Sequence, residues 1–164
     1  DIYGDELGPA GLAAAAAGSP RLLVTAPGRQ LFPEVSPDGT LVAYESNEGG
    51  DDEIYMTTYP AGQGKWQVSN AGGGNPRWSR SGDRLYFDSA NHLMESFIER
   101  TPAPSAATPV DLFAAEAIAV RLVTFGFDRA VDDSRFLVPR PTSGFSDIGA
   151  LLLIEQWAKA LASK

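Results

Sequence analysis

Apolar positions in this chain fall in short runs, and two of the runs are near copies. Leu41-Val42-Ala43-Tyr44 is continuously apolar and follows Phe32-Pro33-Glu34-Val35-Ser36-Pro37-Asp38-Gly39. Leu85-Tyr86-Phe87 follows Asn75-Pro76-Arg77-Trp78-Ser79-Arg80-Ser81-Gly82. Pro33 and Pro76, Ser36 and Ser79, Gly39 and Gly82, and Tyr44 and Phe87 each stand 43 residues apart. A constant period of that size marks a repeat architecture, and about 40–45 residues is one four-stranded propeller blade. A strand with one wet face alternates. A run apolar throughout is buried on both faces, as the inner strands of stacked blades are. Ser36-Pro37-Asp38-Gly39 has the residues of a tight turn, with Ser first, the preset φ of Pro second and Gly last, where φ is positive.

The same pattern, followed along the chain, predicts an all-β fold: a partial β-propeller of about three four-stranded antiparallel blades in a single domain, residues 1–164. A half blade occupies 1–25, with Asp1 to Leu7 as a third strand and Arg21-Leu22-Leu23-Val24-Thr25 as a fourth. Gly8 to Pro20, with five consecutive Ala, is the loop between them. Complete blades cover 31–69 and 75–113, and Thr101 to Pro109 is read as a connector before a short fourth strand at Val110 to Phe113. A degenerate last blade covers 124–160. Phe127 to Asp133 replaces the turn motif, with Asp133 standing 51 residues beyond Gly82, which places an insertion at Ala114 to Val123. Arg135 to Val138 and Ile148 to Ile154 are its next strands. Leu151, Ile154, Trp157 and Leu161 also keep helical spacing, so a short C-terminal helix is expected after the last strand.

Composition narrows the functional classes. A net charge of −8 with scattered basic residues argues against a nucleic-acid surface. The apolar runs at Leu12 to Ala17 and Ala150 to Ile154 are too short to span a bilayer, so no direct membrane insertion is expected. With no Cys there is neither a disulfide nor a thiolate site. The chain opens on Asp1-Ile2-Tyr3 without a start Met or a signal sequence, which reads as a processed or excised piece of a longer polypeptide.

Little in the residues points to catalysis. His92 is the only histidine, and a serine triad would have to use it; Gly144-Phe145-Ser146-Asp147-Ile148-Gly149 misses the elbow pattern that presents a nucleophile. The chain is expected not to be an enzyme and to need no cofactor. Asp51-Asp52-Glu53, with Asn47 and Glu48 nearby, offers oxygen ligands for Ca²⁺ but lacks EF-hand spacing, and a solvent-facing hairpin loop is the reading adopted. Gly72-Gly73-Gly74 is read as a flexible link rather than a phosphate loop, and Trp66, Trp78 and Tyr86 as packing between blades. Glu34 and Arg77 occupy the same position in successive blades, on the strand that lines a propeller's channel, and alignment adds Arg129. These three are the candidate ligand-binding residues, with an inter-blade ion pair as the competing reading.

Pro33 to Gly39, Val42-Ala43-Tyr44 and Ile54-Tyr55 resemble the WD40-like repeat of TolB-type propellers, whose blades carry a Ser-Pro-Asp-Gly turn. Gly64 to Ser69, Gly73 to Trp78 and the closing strand near Trp157 resemble the propeller at the C-terminus of bacterial serine/threonine kinase-like proteins. The resemblance implies a binding, sensing or scaffold module, periplasmic or otherwise extracytoplasmic, with a protein or peptide partner. It does not extend to kinase activity, for which no motif is present. Turn two lacks Pro and Asp, and turn three lacks Gly. Propellers close with about four to eight blades, so the remaining blades are expected in the same polypeptide or in a second copy, as a homodimer. The alternative function is a propeller accessory to a prolyl-oligopeptidase-like hydrolase encoded elsewhere in the polypeptide.

Overall fold

The computed structural model describes residues 1–4, 21–114, 127–130, 133–143 and 147–155, and among these there is no helix. The strands form four antiparallel sheets in chain order. The first pairs β1 (Ile2–Gly4) with β2 (Arg21–Val24). The second runs β3 (Gln30–Val35), β4 (Leu41–Ser46), β5 (Glu53–Thr58), β6 (Trp66–Gln67). The third runs β7 (Gly74–Trp78), β8 (Arg84–Ser89), β9 (His92–Glu99), and β9 then pairs with both β10 (Ser105–Ala106) and β11 (Val110–Ala114). The fourth holds β12 (Asp128–Arg129), β13 (Arg135–Ser143) and β14 (Asp147–Glu155). This is the strand pattern of a partial propeller.

Local chemistry closes the first hairpins of the second and third sheets in the same way. Ser36 Oγ accepts from Leu41 N–H at 3.0 Å and donates to Asp38 at 2.7 Å, while Gly39 N–H reaches Ser36 O at 2.8 Å. Ser79 does the same for Arg84 N–H at 3.0 Å, with Asp83 in place of Asp38. Gly39 and Gly82 take φ of 70° and 74°, and Asp133 takes 54° in the third turn, the left-handed region that Asp tolerates better than most residues. The innermost strands also repeat a bulge: the register slips between Leu31 and Glu34 and between Gly74 and Arg77, around Phe32 and Asn75 at φ 49° and 51°.

The core is three layers between successive sheets. Ile2 and Val24 of the first sheet meet Tyr44 and Tyr55 of the second. Leu41, Ala43, Ile54 and Met56 of the second meet Trp78, Leu85, Phe87 and Ile98 of the third. Tyr86, Leu93 and Leu112 of the third meet Phe127, Phe136 and Val138 beside or within the fourth. Along β4 the residues alternate between the layer ahead and the layer behind, so every position is buried. That double burial explains why the run is apolar without alternation.

Several sequence expectations change. The stretch 101–109 is not only a connector, because Ser105 and Ala106 pair with Glu99 and Ile98 and split the outer strand in two. Gly72-Gly73-Gly74 is not a flexible link: Gly73 N–H donates to Asp52 O at 2.8 Å, and a Cβ there would lie 2.7 Å from Ser69 Oγ and 2.8 Å from an Ile54 side-chain carbon. Glycine is required by close packing. Ala114, expected to open the insertion at 114–123, instead ends β11, and the rest of that insertion, the loop at 8–20 and the helix after the last strand lie outside the described residues.

Candidate functional site

The three sequence-chosen residues lie on innermost strands, near the end that carries the Ser36–Gly39 turn. Strand register corrects one of them. Glu34 faces Ala43 across its ladder and Arg77 faces Tyr86, and the matching residue in the fourth sheet is Asp128, opposite Leu137. Arg129 instead occupies the position of Val35 and Trp78. A one-residue slip carries a side chain to the opposite face, and Arg129 accordingly points back at the third sheet.

What gathers there is a chain of ties through Trp78. Trp78 N–H donates to Glu34 Oε2 and its indole Nε1 to Glu34 O, each at 3.0 Å. Arg129 Nε donates to Trp78 O, and its Nη1 pairs with Asp133 at 3.0 Å. Burial raises the pKa of Glu34, against the Trp78 N–H and the positive charges of Arg77 and Arg129. Arg77 Nη1 donates to Pro76 O at 2.9 Å. Glu34 and Arg129 thus work on either side of Trp78 as inter-sheet fasteners.

At the opposite strand ends lies a cleft of about 620 Å³ between the second and third sheets. It forms where β3, β5 and β7 start and where β4 and β8 end. Gly74 lies between two buried carboxylates: a Cβ built on it would stand 3.0 Å from Glu45 Oε2 and 3.3 Å from Asp88 Oδ2. Glu45 is 6% exposed and Asp88 3%. Asp88 Oδ1 accepts from Asn75 Nδ2 at 2.6 Å, and Glu45 receives the Asn75 backbone N–H. Burial raises the pKa of both, and for Glu45 the charges of Asp52 and Asp88 raise it further. The cation on the rim, Arg29, pairs with Asp52 at 2.6 Å; Arg29 is more than half exposed, whereas Asp52 keeps its Oδ1 buried without a partner. Phe32, 47% exposed, forms an apolar wall.

Other candidates resolve into structural roles. Around the acidic hairpin, Asn47 accepts from Arg29 N–H at 2.8 Å, Glu48 pairs with Lys65, and Glu53 accepts from Ser69 Oγ and from Gly72 N–H. Among the described residues no three acidic or histidine groups converge as metal ligands. His92 Nδ1 lies 2.9 Å from Asp111 on the surface. Trp78 and Tyr86 are fully buried between sheets, and Trp66 packs against the same core as Trp78.

Sequence reasoning missed Glu45, Asp88 and Phe32. The repeat itself held a signal for the first two, since each acid ends an apolar second strand and the pair stands 43 residues apart.

Neither a protein-family model nor a curated protein matches the chain. Among solved structures, the chain is similar to the crystal structure of TolB from Acinetobacter baumannii, at 18% identity and a TM-score of 0.44 over 84% of this chain. The match spans 46% of the TolB chain, so this chain corresponds to about half of that protein's length. The architecture rests on the chain's own strand pairing and layered cores.

Proposed function

We propose that this chain is a non-enzymatic binding module, part of a TolB-like propeller, that presents its strand-end cleft to a protein or peptide. The observation in support is the cleft itself: a concave opening between two complete sheets, floored by the backbone of Gly72 to Gly74 and by buried polar side chains. The resemblance of the repeats to TolB-type blades is the ground for placing the module outside the cytoplasm of a bacterium. Peptide-display selection against the immobilised chain tests the reading. Enriched peptides should lose at least about tenfold in affinity for Ala71→Trp, which fills the cleft from an exposed lining position. Selection that enriches nothing, or peptides that bind Ala71→Trp unchanged, would overturn it.

The same proposal includes a partner for the inner side of the second sheet. Val35 is 43% exposed there, because the first sheet has only two strands among the described residues and neither covers it. Further blades of the same polypeptide or a second copy would supply that cover. A monomer by light scattering at micromolar concentration removes the second copy.

A further inference from the structure

The cleft has a chemical bias that goes beyond the binding role just proposed and rests on it. Two carboxylates from different sheets converge on Gly74, which has no side chain to separate them. Each is more than nine-tenths buried, and between them they receive Asn75 from one side. A carboxylate has room for about four donors, so Glu45 and Asp88, with Asn75 as their shared partner, keep acceptor capacity where they line the cleft. The rim adds Asp51, Asp52 and Glu53, with Arg29 already committed to Asp52. The lining holds five carboxylates against one arginine, so it is short of positive charge.

The missing donor is not a bare metal ion, since the described carboxylates are not gathered at coordination distances. A planar organic cation fits better, because it can donate to two acceptors at once and stack on an apolar wall. Phe32 is that wall. Its backbone sits at φ 49°, a conformation that the next repeat assigns to Asn75, and it stays 47% exposed although it is a large apolar side chain. For a bulky residue this is a strained position, and such strain concentrates at ligand sites. We propose that the cleft binds a guanidinium group, donating to Glu45 and Asp88 across Gly74 and lying against Phe32, with an arginine side chain of a peptide as its source.

Amide NMR titration of the 164-residue chain at neutral pH tests this, using acetyl-Ala-Arg-Ala-amide, its Lys and Glu counterparts, and agmatine. The Arg peptide should shift the amides of Gly72, Gly74, Asn75 and Ser89, and the Glu peptide should not. Glu45→Gln and Asp88→Asn should each weaken the Arg peptide about tenfold or more, the loss expected for a charge-assisted hydrogen bond. Both variants are isosteric, and thermal melts confirm that they fold. Agmatine binding more tightly than the peptide would move the source to a small guanidine and overturn the peptide assignment. An equal response to the Lys peptide overturns the planar fork. Cleft shifts with the Glu peptide alone overturn the cation and leave the binding role standing. Silence from all four, together with failed peptide display, overturns both.

Discussion

Val35 and Trp78 occupy the same position in successive sheets, yet Val35 is 43% exposed and Trp78 is fully buried. Their ladders match: Val35 lies opposite Val42 and Trp78 opposite Leu85. The difference comes from the neighbouring sheet. Trp78 has β3 beside it, with Glu34 accepting from its backbone and indole N–H groups, whereas no described strand lies in that place beside Val35. Position in the repeat fixes the backbone, and the preceding blade decides what the side chain contributes. Glu45 and Asp88 show the opposite case. They are also equivalent positions, and both are buried, because the backbone of Gly74 packs against each of them where the second and third sheets meet.

The largest test of that contrast is truncation at both sites. Trp78→Ala should cost about 3–5 kcal/mol, the range for a large aromatic lost from a packed core. Val35→Ala should stay within about 0.5 kcal/mol, as surface changes do. Urea denaturation of both variants decides it. Similar costs at the two sites would mean that Val35 is covered in solution, and would favour a second copy.

Packing of the link between the sheets ranks next. Gly73→Ala should cost about 1–3 kcal/mol, because Ser69 and Ile54 leave no room for a methyl group. Gly49→Ala is the matched control: like Gly73 it lies outside the left-handed region, and a Cβ there meets only Tyr55 Oη, at 3.7 Å, an ordinary contact. It separates crowding from the general cost of replacing a loop glycine. If both changes cost the same in thermal melts, the close approach at Gly73 is not what holds the link.

Arg100 sharpens the contrast from the third sheet's side. It donates to Gly82 O and Thr40 Oγ1, each at 2.7 Å, pairs with Asp38 at 3.0 Å and lies over the Trp78 ring at 5.5 Å. It therefore clamps the two tight turns together. Arg100→Ala should cost about 1–2 kcal/mol, in keeping with hydrogen bonds from a charged donor to partly wet partners. Arg100→Lys should recover less than half of that, since an ammonium cannot span the same acceptors. Full recovery in urea melts would reduce the clamp to simple charge.

How much of this was legible in the sequence follows from how local each determinant is. Ser36-Pro37-Asp38-Gly39 was readable because its hydrogen bonds close within six residues, Ser36 to Leu41. The repeat of 43 residues carried that reading to β8. The register failed at Arg129, where the turn keeps its shape through Asp133 but has lost Pro and Gly, so nothing in the letters anchored the alignment to within one residue. The cleft was hidden for another reason. An acid after an apolar run reads as a strand end reaching water, and only the approach of Gly74 from the next sheet makes Glu45 a buried one. That approach depends on contacts 29 residues apart in the chain, which no local pattern records.

The smallest expected effect bears on the pair of positions that the two sheets treat alike. Ordinary carboxylates lose their proton near about pH 4. Burial, and for Glu45 its acidic neighbours as well, holds the proton on Glu45 and Asp88 to higher pH in the folded chain. Between the ordinary and the raised values the folded state therefore binds more protons than the unfolded one. Stability then falls as pH rises through that window, and the loss persists at neutral pH. Glu45→Gln or Asp88→Asn removes the titrating group and keeps an acceptor for Asn75. Each variant should be more stable than the parent at pH 7 by about 1 kcal/mol, an increment typical of relieving an uncompensated polar group. The advantage should fade below about pH 4, where the parent's carboxyls are neutral too. All other titrating groups are shared, so the difference between parent and variant isolates the pair. Urea midpoints at the two pH values measure it. A variant less stable than the parent at pH 7, or an advantage equal at both, would mean that the carboxylates are already compensated, and the cleft would have no unmet demand for a cation.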